Sequence, residues 1–134
     1  WENIPDIVMC EEARVSEKNI KKAISFWTNI GYDINSKIVK KYCGDQLHVK
    51  NEIRITGQRD LDTIRYYGMT DRLFYVKSNN TYLLSSNIKI SDDSTENLEL
   101  IIHELGHALG INHEDRDESH IMHHLAIEHV TRYN

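Results

Sequence analysis

The feature that most constrains the fold of this chain is the stretch HELGHALGINH, which runs from His103 to His113. It closes a segment whose apolar residues recur at helical spacing, namely Leu98, Ile101, Ile102, Leu105 and Leu109. Two histidines four residues apart on a helix project from the same face, so His103 and His107 can bind one ion. Gly110 predicts where the helix ends, because glycine readily adopts the left-handed conformation that leads a chain out of a helix.

The residues around this predicted helix favour a catalytic metal site over a structural one. A sharp turn at Gly110 would bring His113 back towards the first two histidines as a third ligand. Three protein ligands leave one position of a tetrahedral zinc ion open for water, as in catalytic sites. Glu104 directly follows the first ligand, so its carboxylate can reach a metal-bound water and act as a general base without binding the metal. A chance match on an ordinary helix is the alternative, but it does not account for the spaced glycine and the third histidine.

The complete pattern resembles a known family signature. HExxHxxGxxH followed by a methionine is similar to the signature of the metzincin zinc peptidases. Met122, downstream of the third histidine, resembles the methionine of the Met-turn, the tight turn beneath the metal in that clan. Farther upstream, segments 67–70 and 86–90 are similar to the edge strand and the following strand of matrixin-like peptidases. The resemblance is specific over residues 86–124 and loose over residues 1–85.

The resemblance implies a zincin-like α+β fold. Its parts would be a twisted, mostly parallel sheet with an antiparallel edge strand, two main helices and a small irregular C-terminal subdomain. The whole chain, 1–134, would be one catalytic domain. The sheet and both helices would occupy residues 1–110, and the third ligand and the Met-turn would occupy residues 111–134.

The resemblance also implies a zinc-dependent endopeptidase. In that family Glu104 would deprotonate a zinc-bound water, which then attacks the scissile carbonyl of a peptide. An extended substrate would pair with the edge strand, within Gly68–Val76, at Gly68, Met69 and Thr70. The second helix and residues 121–126 would form the walls of the S1′ pocket.

Two positions depart from the patterns within the clan, so the sequence leaves open the choice between a matrixin-like and an astacin-like peptidase. Glu114 is the astacin-like residue, where matrixins usually have serine. His124 stands where astacins have a tyrosine ligand, and three roles are open for it: extra zinc ligand, hydrogen-bond donor to the tetrahedral intermediate, or surface histidine. Twelve residues follow Met122, which predicts a short or missing closing helix.

The rest of the chain predicts strands and one further helix. Ser16 is a candidate N-cap and Gly31 a stop signal, which places an amphipathic helix at 17–30. Asp93 or Ser94 is predicted to cap the second helix, with Glu96 in its first turn. Strands are predicted at Ile4–Cys10, Asp33–Lys40, Gln46–Thr56, Tyr66–Lys77 and Tyr82–Ile90, with a turn at Ser78, Asn79 and Asn80. This order favours a mixed α/β sheet with two helices packed on it.

Composition narrows the range of partners. The chain has 134 residues and a net charge of −5, without a Lys/Arg cluster that would indicate nucleic-acid binding. It has no apolar run near the roughly 20 residues that a membrane span needs. The acidic group of Asp92, Asp93, Asp115, Asp117 and Glu118 is interpreted as a solvated face with helix capping, and a structural calcium site is the weaker alternative. Cys10 and Cys43 could form a disulfide or remain thiols.

The expected partner is a peptide or protein substrate, and a pro-segment or inhibitor would lie outside this chain. The chain contains no targeting signal, and the family resemblance favours a secreted or extracellular location. Two other functions stay open. One is a catalytically silent zinc-binding module that docks peptides in a larger assembly, and the other is a zinc hydrolase of non-peptide amides.

Overall fold

The computed structural model describes residues 1–56, 67–114, 116 and 120–123. In this part of the chain there are two α-helices, α1 (Glu17–Ile30) and α2 (Leu98–Ala108), and a short 3-10 helix, Asp92–Ser94. The strands are β1 (Asp6–Cys10), β2 (Ile38–Lys41), β3 (Glu52–Thr56), β4 (Gly68–Lys77) and β5 (Asn80–Ile90).

The strands form one mixed sheet in the order β2-β1-β3-β5-β4. Three neighbouring pairs are parallel, and β4 pairs antiparallel with β5 at one edge. The predicted mixed α/β class, with two helices packed on a sheet, is therefore confirmed. Ser78 and Asn79 join β4 to β5 with φ of 52° and 66°, the two positive values that a tight hairpin turn requires.

Helix α1 has the predicted bounds because both of its ends are encoded locally. The Ser16 side chain accepts a hydrogen bond from the backbone N–H of Asn19 at 3.2 Å, and Gly31 closes the helix with φ of 120°. The buried face of α1 consists of Ile20, Ala23, Ile24 and Trp27. The Trp27 indole N–H donates to the carbonyl of Ile102 at 2.8 Å, which ties α1 to α2.

The predicted start of the second helix is wrong. Asp92–Ser94 forms a separate 3-10 turn, and α2 begins at Leu98 after Asn97, whose side chain accepts from the backbone N–H of Leu100 at 3.2 Å. Glu96 thus precedes the helix, and Glu99 takes the first-turn position. Aspartate, serine and asparagine are all good N-cap residues, so the residue types alone do not choose among them.

Several strands are shorter than predicted. β1 begins at Asp6, β2 at Ile38 and β3 at Glu52. Pairing limits them, since β1 is only five residues long and lies between β2 and β3. Alternating residues before β2 and β3 have no partner strand in the described part of the chain. Tyr66, the predicted first residue of the edge strand, lies outside the described residues.

The hydrophobic core lies between the sheet and the two helices, and it includes Ile7, Ile20, Trp27, Ile53, Leu100, Leu105 and Met122. A smaller buried cluster contains Val8 and the disulfide between Cys10 and Cys43, whose Cα atoms are 5.5 Å apart. The choice that the sequence left open is thus resolved as a disulfide, which joins the end of β1 to the loop after β2. Neither described helix is long and apolar enough to cross a membrane.

Candidate metal centre

Helix α2 carries the first two predicted ligands on its buried side. His103 is fully buried and His107 is 5% exposed, and their ring centroids are 4.7 Å apart. His113, which is exposed, lies against both, with ring centroids 5.3 Å from His103 and 4.7 Å from His107. One ring nitrogen from each histidine lies within 4.8 Å of the others, so the three predicted ligands are brought together as a group that could hold one metal ion.

Two backbone carbonyls fix the orientation of the helical histidines. Nδ1 of His103 lies 2.8 Å from the carbonyl oxygen of Ile121, and Nδ1 of His107 lies 2.8 Å from that of Ile111. A carbonyl oxygen can only accept, so each Nδ1 must carry the hydrogen, and the lone pair of the neutral ring is then on Nε2. This is the tautomer that a metal-binding histidine needs, with its other ring nitrogen held by an outer partner.

The chain leaves α2 through a Schellman motif. The N–H of Gly110 donates to the carbonyl of His107 at 2.9 Å, and the N–H of Ile111 donates to that of Gly106 at 3.0 Å. Gly110 has φ of 107°, a left-handed conformation that strains any residue with a side chain. The predicted turn is confirmed, and it both reverses the chain towards His113 and places the Ile111 carbonyl against His107.

Glu104 lies fully buried beside the histidines. Thr70 on β4 donates its hydroxyl to Oε1 of Glu104 at 2.7 Å. The other oxygen, Oε2, is buried with no hydrogen-bond partner in the described part of the chain. Burial raises the pKa of Glu104 well above its usual value, although the Thr70 hydrogen bond works in the opposite direction.

A tight approach beneath the histidines fixes the packing of α2. A Cβ atom on Gly106 would lie 2.5 Å from Sδ of Met122 and 2.7 Å from Cζ2 of Trp27. Met122 is fully buried. It lies in a turn in which the N–H of His123 donates to the carbonyl of His120 at 3.0 Å. Met122 therefore lies directly under the helical turn between His103 and His107.

The segment after His113 is tied to this turn. The N–H of Glu114 donates to the carbonyl of Met122 at 3.0 Å. The Glu114 carboxylate pairs with the Arg116 side chain at 3.0 Å, and hydrogen bonds from Arg116 lower the pKa of Glu114 to about 2. The departure at Glu114 is thus accounted for by a local ion pair outside the histidine group.

The donor set fits a metal ion. Nε2 of His107 is buried and has no hydrogen-bond partner in the described part of the chain, and Oε2 of Glu104 is in the same condition. Burying such groups unpaired is costly unless something else binds them. Burial, reinforced by the neighbouring His103, lowers the pKa of His107 to about 4, so the ring is neutral and ready to act as a ligand at physiological pH.

Other predicted site residues are only partly described. Gly68 and Thr70 lie on the face of β4 that meets Glu104. Met69, between them, points the other way because side chains alternate along a strand. His124 and the rest of 124–126, half of the predicted S1′ wall segment 121–126, lie outside the described residues.

Four of the five acidic residues considered for calcium also fall outside this description, at least in their side chains, namely Asp93, Asp115, Asp117 and Glu118. The fifth, Asp92, is exposed and lies 3.6 Å from the Arg14 guanidinium.

Two polar contacts of the site were not predicted. One is the hydrogen bond from Thr70 to Glu104, and the other is the contact of the Arg72 guanidinium with the Oδ1 atom of Asn112 at 3.3 Å. Both join β4 to residues more than 30 positions later. The only sequence signal for them is that Thr70 and Arg72 alternate with Gly68 on a predicted edge strand.

In comparisons with known proteins, no family model, no curated protein and no solved structure matches this chain.

Proposed function

We propose that this protein is a zinc-dependent endopeptidase with a metzincin-type catalytic domain. The observation that carries the proposal is the convergence of three histidine nitrogens within 4.8 Å of one another, next to the buried, half-satisfied carboxyl of Glu104. Three histidine imidazoles are a donor set typical of catalytic zinc. Glu104 is not a member of this group, so it is not needed to hold the ion and is assigned to the chemistry.

His103, His107 and His113 would hold the ion. Zinc bound there would supply Lewis acidity, which makes a water more acidic and polarises a carbonyl oxygen. Glu104 would accept a proton from that water on Oε2, the oxygen that Thr70 leaves unoccupied, and deliver it to the leaving amine. Its burial suits this role, because a carboxyl with a raised pKa holds a proton more firmly than an exposed glutamate does.

A peptide is the favoured substrate because Glu104, on α2, lies against the edge strand of the sheet. It touches β4, the outer strand of the described sheet, through Thr70 and Gly68. The outer side of such a strand offers backbone N–H and C=O groups to an extended chain. A peptide paired with β4 would run past Glu104 and the histidine group.

The test combines metal analysis with hydrolysis by the wild type and by Glu104→Ala. The wild type should contain close to one zinc per chain and should cleave casein or a mixed peptide library in a chelator-sensitive manner. Glu104→Ala should keep the zinc and lose nearly all hydrolysis, by about a thousandfold or more, since a general base contributes roughly 10²–10⁴-fold. Glu99→Ala is the matched control, because Glu99 is exposed in the first turn of the same helix.

Each rival function has its own outcome in this experiment. Zinc well below one per chain would contradict the metal site itself. Zinc at one per chain without any hydrolysis by the wild type would favour the silent docking module. Chelator-sensitive hydrolysis of cell-wall amides, with casein left intact, would favour the non-peptide hydrolase.

A further inference from the structure

Three alternate residues of β4 form a row along the candidate centre. Gly68 lies against Glu104, since a Cβ atom on it would be 3.0 Å from Cγ of that residue. Thr70 donates to Glu104. Arg72, next in the row, reaches Asn112, the residue just before His113, with both Nη atoms 3.3 Å from its Oδ1 atom. The row therefore runs from the proposed base to the third histidine.

The Arg72 guanidinium has no carboxylate partner in the described part of the chain. Its contacts there are the neutral amide of Asn112 and the ring of Phe74, whose centroid is 5.6 Å from the Arg72 Cζ atom. The nearest acidic neighbour in sequence, Asp71, points to the opposite face of β4 by strand alternation. Consistently, the charge of Asp71 acts on His48, which hydrogen-bonds Ser85 away from the histidine group.

Arg72 places a positive charge on a chain that is acidic overall. The chain carries a net charge of −5, yet a half-exposed arginine lies beside the histidine group with donors to spare. Its charge reaches His107, where it adds a small contribution to the lowering of the pKa that burial mainly causes. A guanidinium presents five donors in a planar fork, which matches a carboxylate with two parallel hydrogen bonds.

We propose that Arg72 forms an anion subsite that selects an acidic residue, aspartate or glutamate, in the peptide that lies along β4. This inference rests on the proposed function. Thr70 marks the position of Glu104 and hence of the scissile bond, and Arg72 is two residues farther along the strand, about 7 Å at the usual rise per residue. The preferred acidic side chain therefore lies about two residues from the scissile bond, on one side only.

The subsite is tested with a set of otherwise identical peptides in which glutamate, glutamine or lysine is scanned over the three positions on each side of the cleaved bond. The wild type should cleave the best glutamate peptide about tenfold or more faster, in kcat/KM, than its glutamine counterpart, which is the usual size of one charge-assisted contact. Arg72→Gln should bring that ratio close to one, Arg72→Lys should keep part of it, and Arg72→Glu should favour lysine instead. Lys77→Gln, which removes the other cation of the same strand, should leave the ratio at its wild-type value.

Binding separates the failure of this inference from the failure of the proposed function. The same peptides, labelled with a fluorophore, are titrated into zinc-loaded Glu104→Ala protein with and without Arg72→Gln, and anisotropy gives the Kd. A glutamate preference that disappears with Arg72→Gln supports the subsite, even if the wild type hydrolyses nothing. No glutamate preference in either assay, or one that survives Arg72→Gln in a variant with full zinc content, would overturn it.

Discussion

The candidate centre is assembled from two regions that are held in different ways. On α2, His103, Glu104 and His107 are nearly or fully buried, and their positions are set by the helix and by contacts with β4 and Met122. After Gly110, His113 is exposed and stands on a segment held by a backbone hydrogen bond from Glu114 to the carbonyl of Met122. The helix supplies a preformed half of the site, and the exit segment supplies the half that the proposed metal ion would complete.

The two halves of the site also depend on each other. The carbonyls of Ile111 and Ile121, both in the exit region, orient the two helical rings at 2.8 Å. The helix therefore places the imidazoles, while the exit region sets their tautomers. The substitutions below each change one half of the site.

The largest effect is expected from removing a ligand. His107→Ala should lower zinc affinity by more than about hundredfold, since even the loss of an outer partner of a ligand typically costs 10–100-fold. His113→Ala should cost less, because the two helical imidazoles remain prepositioned on α2. Competition titration with a chromogenic chelator measures both, and His48→Ala, remote from the group, serves as control. Equal losses for the two variants would show that the helix offers no preformed half.

The next effect concerns the two glycines. Gly106→Ala should reduce the free energy of unfolding by about 2–3 kcal/mol, because the new Cβ overlaps Met122 and the hydrogen-bonded Trp27 ring and overpacks the core. Gly110→Ala should cost about 1 kcal/mol, mainly from backbone strain, since the nearest atom to the new Cβ would be Cδ1 of Leu83 at 3.3 Å. Urea unfolding in the presence of a chelator gives both values without a contribution from the metal. A cost at Gly110 larger than that at Gly106 would contradict the tight packing described under the ligands.

The raised pKa of Glu104 should make the stability of the metal-free protein depend on pH. A carboxyl whose folded pKa lies above its unfolded value stabilises the fold below about pH 4.5 and loses this contribution as pH rises towards the folded pKa. Glu104→Gln should therefore be less sensitive to alkaline pH than the wild type, by at most about 1.4 kcal/mol per pH unit.

His107 has the opposite effect on stability, and it acts over a different pH range. The pKa of His107 is lowered to about 4, so its contribution to stability is present above pH 6.5 and is lost as pH falls towards 4. The comparison of the wild type with Glu104→Gln separates the two effects, because both proteins contain His107 and its contribution cancels. Stability curves that stay parallel as pH rises above 4.5 would contradict a buried, proton-binding Glu104.

The smallest effect is expected from removing the hydrogen bond that Thr70 donates to Glu104. Thr70→Val keeps the shape of the side chain but removes the hydroxyl that donates to Oε1 at 2.7 Å. The proposed hydrolysis should fall by about tenfold, the value of one hydrogen bond to a charged group, and Thr70→Ser should restore most of it. A matching change in the pH profile of kcat/KM would identify Thr70 as positioning Glu104. An unchanged profile with equal loss in both variants would indicate a packing defect instead.

The predictability of the two halves also differs. The grouping of the three histidines, the exit at Gly110 and the placement of Met122 could be predicted, because they depend on residue spacing along one continuous stretch. The bounds of α1 were equally accessible, since Ser16 and Gly31 act within one helical turn. Features of this kind depend on residues that lie close together in the sequence.

Features that join distant segments could not be predicted in the same way. The predicted start of α2 is wrong because four kinds of capping residue (aspartate, serine, threonine and asparagine) compete between Asp92 and Asn97. The late starts of β2 and β3 depend on the short length of β1, which their own residues do not encode. The contact of Arg72 with Asn112, 40 positions apart, requires the hairpin and α2 to be packed first.

The disulfide between Cys10 and Cys43 has a consequence for durability. It closes a covalent ring that contains all of α1. A single backbone cut inside that ring leaves both pieces covalently attached to the domain. The helix that holds Trp27 against Ile102 would therefore remain in place after a nick, whereas a cut between His107 and His113 would leave the third histidine without a covalent link to the other two.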